Sequence, residues 1–237
     1  MKINYKHTNH THNPTSAEII LPYVFKIVNP HSVLDVGCGN GSWLKVCKDL
    51  SINDIYGVDG IQVKSEDLMI EDNKFLKYDL SKKLDLKRKF DLVISLEVAE
   101  HLPESAANTF VDSLTEHSNV VLFSAAIPNQ GGQYHLNEQW PEYWQEKFKN
   151  KGFQAFDIVR TEFWNDENIL WWYQQNMIFF VKEGTTSFNS YKATDPVLSI
   201  VHPKLYKKKI FKPKYLNSKK EIFQLIVTSF KTLLKGK

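Results

Sequence analysis

The chain has 237 residues, 42% of them hydrophobic, which suits one domain with a full core, plus at most an appendage. No run reaches the roughly 18 apolar residues that a membrane-spanning helix needs, and the polar start Met1-Lys-Ile-Asn-Tyr-Lys-His lacks a signal-peptide core. The formal charge of +3 is uneven: from His202 onward there are eleven lysines and one acid, so the tail carries +10 and the rest −7, an acidic body rather than the basic face of a specific nucleic-acid binder.

His7, His10 and His12 sit in a polar leader that reads as a flexible terminus. Thr15-Ser-Ala-Glu18 after Pro14 fits a capping box and predicts a helix over 16–28. Beyond it, strands are expected near 32–36, 54–58, 74–77, 90–96, 118–125, 153–160 and 172–181. Helices are expected near 42–50, 61–70, 104–116 and 140–150, the last opened by Trp140-Pro141, since proline is tolerated in a first turn. This alternation predicts an α/β fold: a parallel sheet covered on both faces, with ligands beyond the strand C-termini. Residues 183–200 are polar and small and read as a linker. Ile222, Phe223, Ile226, Val227, Phe230, Leu233 and Leu234 then fall on one face of a lysine-flanked helix. Such a helix can lie on an anionic membrane, pack on its own domain, or meet a second copy in a homodimer. Cys38 and Cys47 read as reduced thiols and suit a cytoplasmic protein, peripheral at most to the inner face of a membrane.

The densest signal is Val33-Leu-Asp-Val-Gly-Cys-Gly-Asn-Gly41. A buried strand ends at Val36, and glycines at 37, 39 and 41 let the backbone turn tightly and approach a ligand. Ile55-Tyr-Gly-Val-Asp59 then reads as a second strand ending in an acid, the place where ribose hydroxyls are bound in dinucleotide folds. The loop is G-C-G-N-G rather than G-x-G-x-x-G. Phe75-Leu-Lys-Tyr-Asp79-Leu80 offers another acid, and Phe90-Asp-Leu-Val-Ile-Ser-Leu-Glu97 a fourth apolar strand. This ordered set resembles class I S-adenosylmethionine-dependent methyltransferases over roughly residues 15 to 182.

The resemblance implies a Rossmann-like seven-stranded sheet with helices on both faces and the last strand antiparallel. It implies a methyltransferase domain over 1–182 with an N-terminal cap of about 1–30, and a basic helical extension over 183–237. It implies that Asp35, Gly37, Gly39 and Gly41 lie against the methionine and ribose of S-adenosylmethionine, and that Asp59 and Gly60 take the ribose. Asp79 and Leu80 would meet the adenine and Leu96 the methionine side. Trp43 packs near the loop or in the core.

Strand four runs into Glu97-Val-Ala-Glu100-His101, which looks like the segment of ubiquinone-biosynthesis O-methyltransferases where these positions bind a divalent cation. Glu97, Glu100 and His101 are therefore candidate ligands for an ion such as magnesium, although the same E-x-x-E-H pattern in metal-independent relatives only shapes the pocket. After strand five, Gly131-Gly-Gln-Tyr-His135-Leu-Asn-Glu138 permits a mobile loop over the methyl donor. His135 is the first candidate general base and His101 the second. This stretch, through Gly152 to Arg160, looks like methyltransferase-domain proteins of bacterial surface-polysaccharide pathways. It implies O-methylation of a sugar or glycan precursor. A quinone-like or lipid-linked acceptor at a membrane and a non-catalytic cofactor-fold scaffold are the rival expectations.

Overall fold

The computed structural model describes residues 14–209, 223, 224 and 226–228. The three leader histidines and most of the expected helix over 222–234 lie outside the described residues. The chain divides into two compact units after His202.

The first unit is built on a seven-stranded sheet in the order β3-β2-β1-β4-β5-β7-β6. Its strands are β1 (Ser32–Val36), β2 (Asp54–Asp59), β3 (Phe75–Lys77), β4 (Leu92–Leu96), β5 (Val120–Ser124), β6 (Phe153–Phe156) and β7 (Ile178–Lys182). β1 runs parallel to both β2 and β4, and β5 parallel to β4. β7 is antiparallel to both neighbours, the arrangement expected for the last strand.

Alternate residues of each strand feed opposite faces, and the central strands carry apolar side chains on both. Val33, Ile55, Leu92, Ile94, Leu122 and Phe179 pack on one side with α1 (Thr15–Val28) and α2 (Ser42–Asp49). Leu34, Val36, Val58, Val93, Val121, Phe123 and Phe180 pack on the other with α3 (Ala107–His117) and α4 (Pro141–Lys149). Phe148 of α4 stacks on Phe180 at a centroid distance of 4.0 Å. Pro141 opens α4 as expected. Cys38 and Cys47 are buried free thiols.

Several elements differ from expectation. The helix expected over 61–70 is absent apart from a single 3₁₀ turn at Ser65–Asp67. That segment instead serves the glycine loop, with Met69 N–H donating to the Asn40 carbonyl at 2.8 Å. α1 begins at Thr15, one residue before the expected start, with Pro14 as its N-cap and Glu18 N–H bonded to the Pro14 carbonyl at 2.9 Å. The strand expected over 153–160 stops at Phe156, and Val159–Phe163 forms α5. The long strand expected over 172–181 is a short helix, α6 (Trp171–Asn176), followed by β7. Its aromatic run suits a strand by propensity, but Gln174, Gln175 and Asn176 are all buried and need partners. A helical turn supplies them: Gln174 Nε2 donates to the carbonyls of Phe163 and Asp166, both at 2.7 Å.

The segment expected as a linker over 183–200 is strapped to the body. Thr194 N–H bonds the Ala155 carbonyl at 2.8 Å, Val197 N–H bonds Gln145 Oε1 at 2.8 Å, and His202 N–H bonds Gln175 Oε1 at 2.8 Å. Arg160, only 2% exposed, ties three elements together. Its Nε donates to Asp157 Oδ1 at 2.7 Å and its Nη1 to the carbonyls of Gln175 and Leu198. In the second unit, α7 covers Pro203–Lys209, and the described residues from 223 to 228 are helical, with Phe223 and Ile226 exposed.

Replacing Arg160 by Met strips the partner from Asp157, from the buried Gln175 carbonyl and from the Leu198 carbonyl. The expected cost is about 3 kcal/mol, read from the urea midpoint; an unchanged midpoint would show that Arg160 holds nothing together.

Candidate functional site

The strand order reverses between β1 and β4, the position at which open α/β sheets bind ligands beyond their C-terminal edge. The four adjacent strands β3, β2, β1 and β4 end at this edge. The residues that follow or close them are Asp79 and Leu80, Asp59 and Gly60, Asp35 with the glycine loop, and Leu96.

The glycine loop is shaped by backbone geometry that side chains resist. Gly37, Gly39 and Gly41 have φ of 90°, 54° and 81°, the left-handed region that glycine enters without steric cost. Gly37 N–H and Cys38 N–H share the Val58 carbonyl at 2.7 and 3.2 Å, which binds the loop to the end of β2. A Cβ on Gly37 would sit 2.2 Å from Val98 Cγ2. Asp59 closes the loop from the other side: Oδ2 accepts from Gly39 N–H and Oδ1 from Ile61 N–H, each at 2.8 Å. Asp35, 3% exposed, lies opposite Gly57 on β2 and Ile94 on β4. Burial first, and the Asp59 charge second, push its carboxyl well above the usual range.

Asp79 differs from these two acids in being exposed. The Ser81 hydroxyl, at 2.6 Å, is the main cause holding it below the usual carboxylate range. Leu80 beside it is buried and Leu96 half-buried. Gly60 is exposed, with only the Tyr78 carbonyl near the position of a Cβ. Trp43 is buried edge-on against Tyr173 at 5.3 Å, a core contact.

A second cluster stands where β4 ends. Glu97 has a left-handed backbone, φ 56°, anchored by its N–H on the Ser124 carbonyl at 3.0 Å. Its carboxylate is braced by two amides, Gln130 Nε2 at 2.8 Å and Asn176 Nδ2 at 3.0 Å. Burial outweighs those bonds and raises the carboxyl to about 7. Glu100 is fully buried, and neither side-chain oxygen has a hydrogen-bond partner among the described residues. Burial and then the Glu97 charge push it well up. Burial, with His135 beside it, lowers His101 to about 4, which makes it a weak base at neutral pH.

The loop between β5 and α4 delivers His135 to this cluster. Leu136 and Asn137 donate their N–H groups to the Glu100 carbonyl at 2.7 and 3.0 Å, and the His135 ring meets His101 edge-on at 4.8 Å. Glu138 lies 2.7 Å from His135 Nδ1. Burial raises the Glu138 carboxyl, but the bonds from His135, Gly131 and Asn129 outweigh it and hold the group below the usual range.

The expected ligand trio was Glu97, Glu100 and His101. The three groups whose donor atoms converge, all within 4.8 Å of one another, are Glu100, His101 and His135. Glu97 is drawn away by its two amides. Gln130, Gln175 and Asn176 were not anticipated in the sequence. The signal that could have found them is the polar triplet 174–176 inside an otherwise aromatic run.

A family model described as a methyltransferase domain matches residues 9–176. The crystal structure of Streptomyces venezuelae DesVI is similar at a TM-score of 0.54 and 14% identity, over 71% of this chain and 91% of that one. The plantazolicin methyltransferase BpumL, solved with a pentazolic desmethylPZN analog and SAH, gives 0.51 and 15%, over 74% and 86%. At these identities the likeness is one of fold. No curated protein matches the sequence.

Two outcomes follow from this geometry. Gly37→Ala collides with Val98 in a backbone conformation that alanine resists, so the variant should lose at least 1 kcal/mol of stability in chemical denaturation; wild-type stability would contradict the packing described. Glu97 binds its proton more tightly folded, at about 7, than at its ordinary 4.5. Its contribution is therefore complete below 4.5 and is lost as pH rises through about 7. Denaturation midpoints measured across that window should fall less steeply in Glu97→Gln than in wild type.

Proposed function

We propose, for a chain that belongs to the methyltransferase-domain family and is a methyltransferase, that it carries the methyl group of S-adenosylmethionine to a hydroxyl of a sugar-linked acceptor. The observation that carries the reading is the juxtaposition at one sheet edge. A glycine loop braced by Asp59 suits the cofactor's methionine and ribose, and a carboxylate-backed imidazole stands at the end of the neighbouring strand. Two buried acids beside the loop suit a ligand with positive sulfur and a positive amino group, because such a ligand offsets their mutual repulsion.

In the reaction the acceptor oxygen attacks the methyl carbon in line with the carbon–sulfur bond. That bond breaks, its electron pair returns to sulfur, and S-adenosylhomocysteine is left. The hydroxyl proton passes to His135. Asp59 would hold the ribose, Asp79 and Leu80 would meet the adenine, and Leu96 would line the methionine side. Tyr134 and Trp140, both well exposed on the His135 loop, offer faces on which a sugar ring can stack.

One observation favours a cation at the same place. Glu100 is a buried acid whose side-chain oxygens have no well-formed hydrogen bond among the described residues, and such a group is costly unless something satisfies it. In this second reading Glu100, His101 and His135 hold a divalent ion, whose charge lowers the pKa of the acceptor hydroxyl. Calorimetric titration of chelator-treated protein with magnesium and manganese separates the two readings. Heat of binding abolished by Glu100→Gln supports the ion, and no heat in wild type excludes it.

For the main reading, calorimetry should show binding of S-adenosylmethionine and S-adenosylhomocysteine, and a nucleotide-sugar panel should reveal methyl transfer. His135→Ala should leave cofactor affinity unchanged and lower kcat about 100-fold or more. Absence of binding by either cofactor form would end the reading, and normal turnover in His135→Ala would end the assignment of the base.

A further inference from the structure

The loop that carries His135 is folded around one carboxylate. Glu138 Oε2 accepts from Asn129 N–H and Oε1 from Gly131 N–H, each at 2.7 Å. With both oxygens anchored to backbone, the carboxylate cannot rotate away from His135 Nδ1, which lies 2.7 Å from Oε1. An ionised carboxylate has acceptors only. The proton in this contact must therefore come from Nδ1, and in a neutral imidazole the other nitrogen is then bare.

The rest of the loop is shaped for the same contact. Tyr134 adopts φ 56°, which turns the chain so that His135 is largely buried while Tyr134 and Leu136 are exposed. Gly132 packs against the far end of the ring: a Cβ there would sit 2.1 Å from His135 Nε2. Only glycine leaves the imidazole that place.

We propose that Glu138 is a positioning residue, which locks His135 as its Nδ1–H tautomer and leaves Nε2 as the atom that receives the acceptor proton. The inference deepens the reading of His135 as base and rests on it for its catalytic meaning. The tautomer itself stands apart from that reading. Imidazole in water prefers the proton on Nε2, so the protein must impose the opposite choice, and Glu138 is the group placed to do so.

The test is nitrogen-15 correlation spectroscopy of the full chain labelled at histidine, at about pH 8 where imidazole is ordinarily neutral, with His135→Gln to assign the signal. Wild type should show Nδ1 protonated and Nε2 bare. Glu138→Ala, its fold checked by the remaining histidine signals, should move the proton to Nε2, and Glu138→Asp should restore part of the original pattern. With a nucleotide-sugar acceptor, Glu138→Ala should lower kcat about 100-fold while the KM for S-adenosylmethionine stays unchanged. A wild-type ring protonated on Nε2, or a tautomer that Glu138→Ala leaves in place, would overturn the proposal. Should Glu138→Ala fail to fold, the wild-type spectrum decides alone. Wild-type protein with the expected tautomer but normal turnover in His135→Ala would refute the base reading and leave the clamp standing.

Discussion

Two carboxylates enclosed at one strand edge govern this fold. Asp35 and Asp59 close β1 and β2, and both are buried. Water would separate such charges, but burial withholds it. The protein answers asymmetrically. Asp59 receives two backbone N–H groups, whereas Asp35 is pushed well up by burial and by its neighbour. The glycine loop exists because of this division. Its N–H groups can reach Asp59 and the end of β2 only if the backbone takes conformations that side chains resist. One buried spot thus holds two acids in unlike environments.

The second acidic cluster solves a like problem differently. Glu97 and Glu100 follow one strand within four residues, Glu97 half-buried and Glu100 fully buried. Amide side chains from two distant segments, Gln130 and Asn176, brace Glu97. Gln175 links these amides to each other and to the His202 backbone. The cluster therefore depends on chain that comes well after the sheet's central strands.

Most of the sheet was legible because its signals are local. Val33, Leu34 and Val36, like Leu92, Val93 and Ile94, put apolar side chains on both faces, as buried parallel strands do. The glycines at 37, 39 and 41 announce a turn by their absence of side chains. The edge and the second cluster were harder to read. Trp171 to Asn176 carries strand-forming aromatics, and only the need of three buried amides for partners makes it a helix. Residues 61–70 were expected as a helix, but Met69 gives its N–H to the glycine loop instead. The partners of Glu97 lie 33 and 79 residues away, and no spacing rule reaches that far. His135 was visible as a histidine in a glycine-rich loop. Its place against His101 and Gly132 was not, because tertiary folding decides it.

The strap that follows β7 bears on where this domain can be cut. A chain ended after Lys182 would retain every strand and every candidate contact of the pocket. It would also leave the Arg160 guanidinium short of the Leu198 carbonyl, and Gln145 and Gln175 short of the backbone groups of Val197 and His202. Those three side chains are buried, and Gln175 bonds the two amides that brace Glu97. The shortest self-sufficient excision of this domain accordingly ends at or beyond His202.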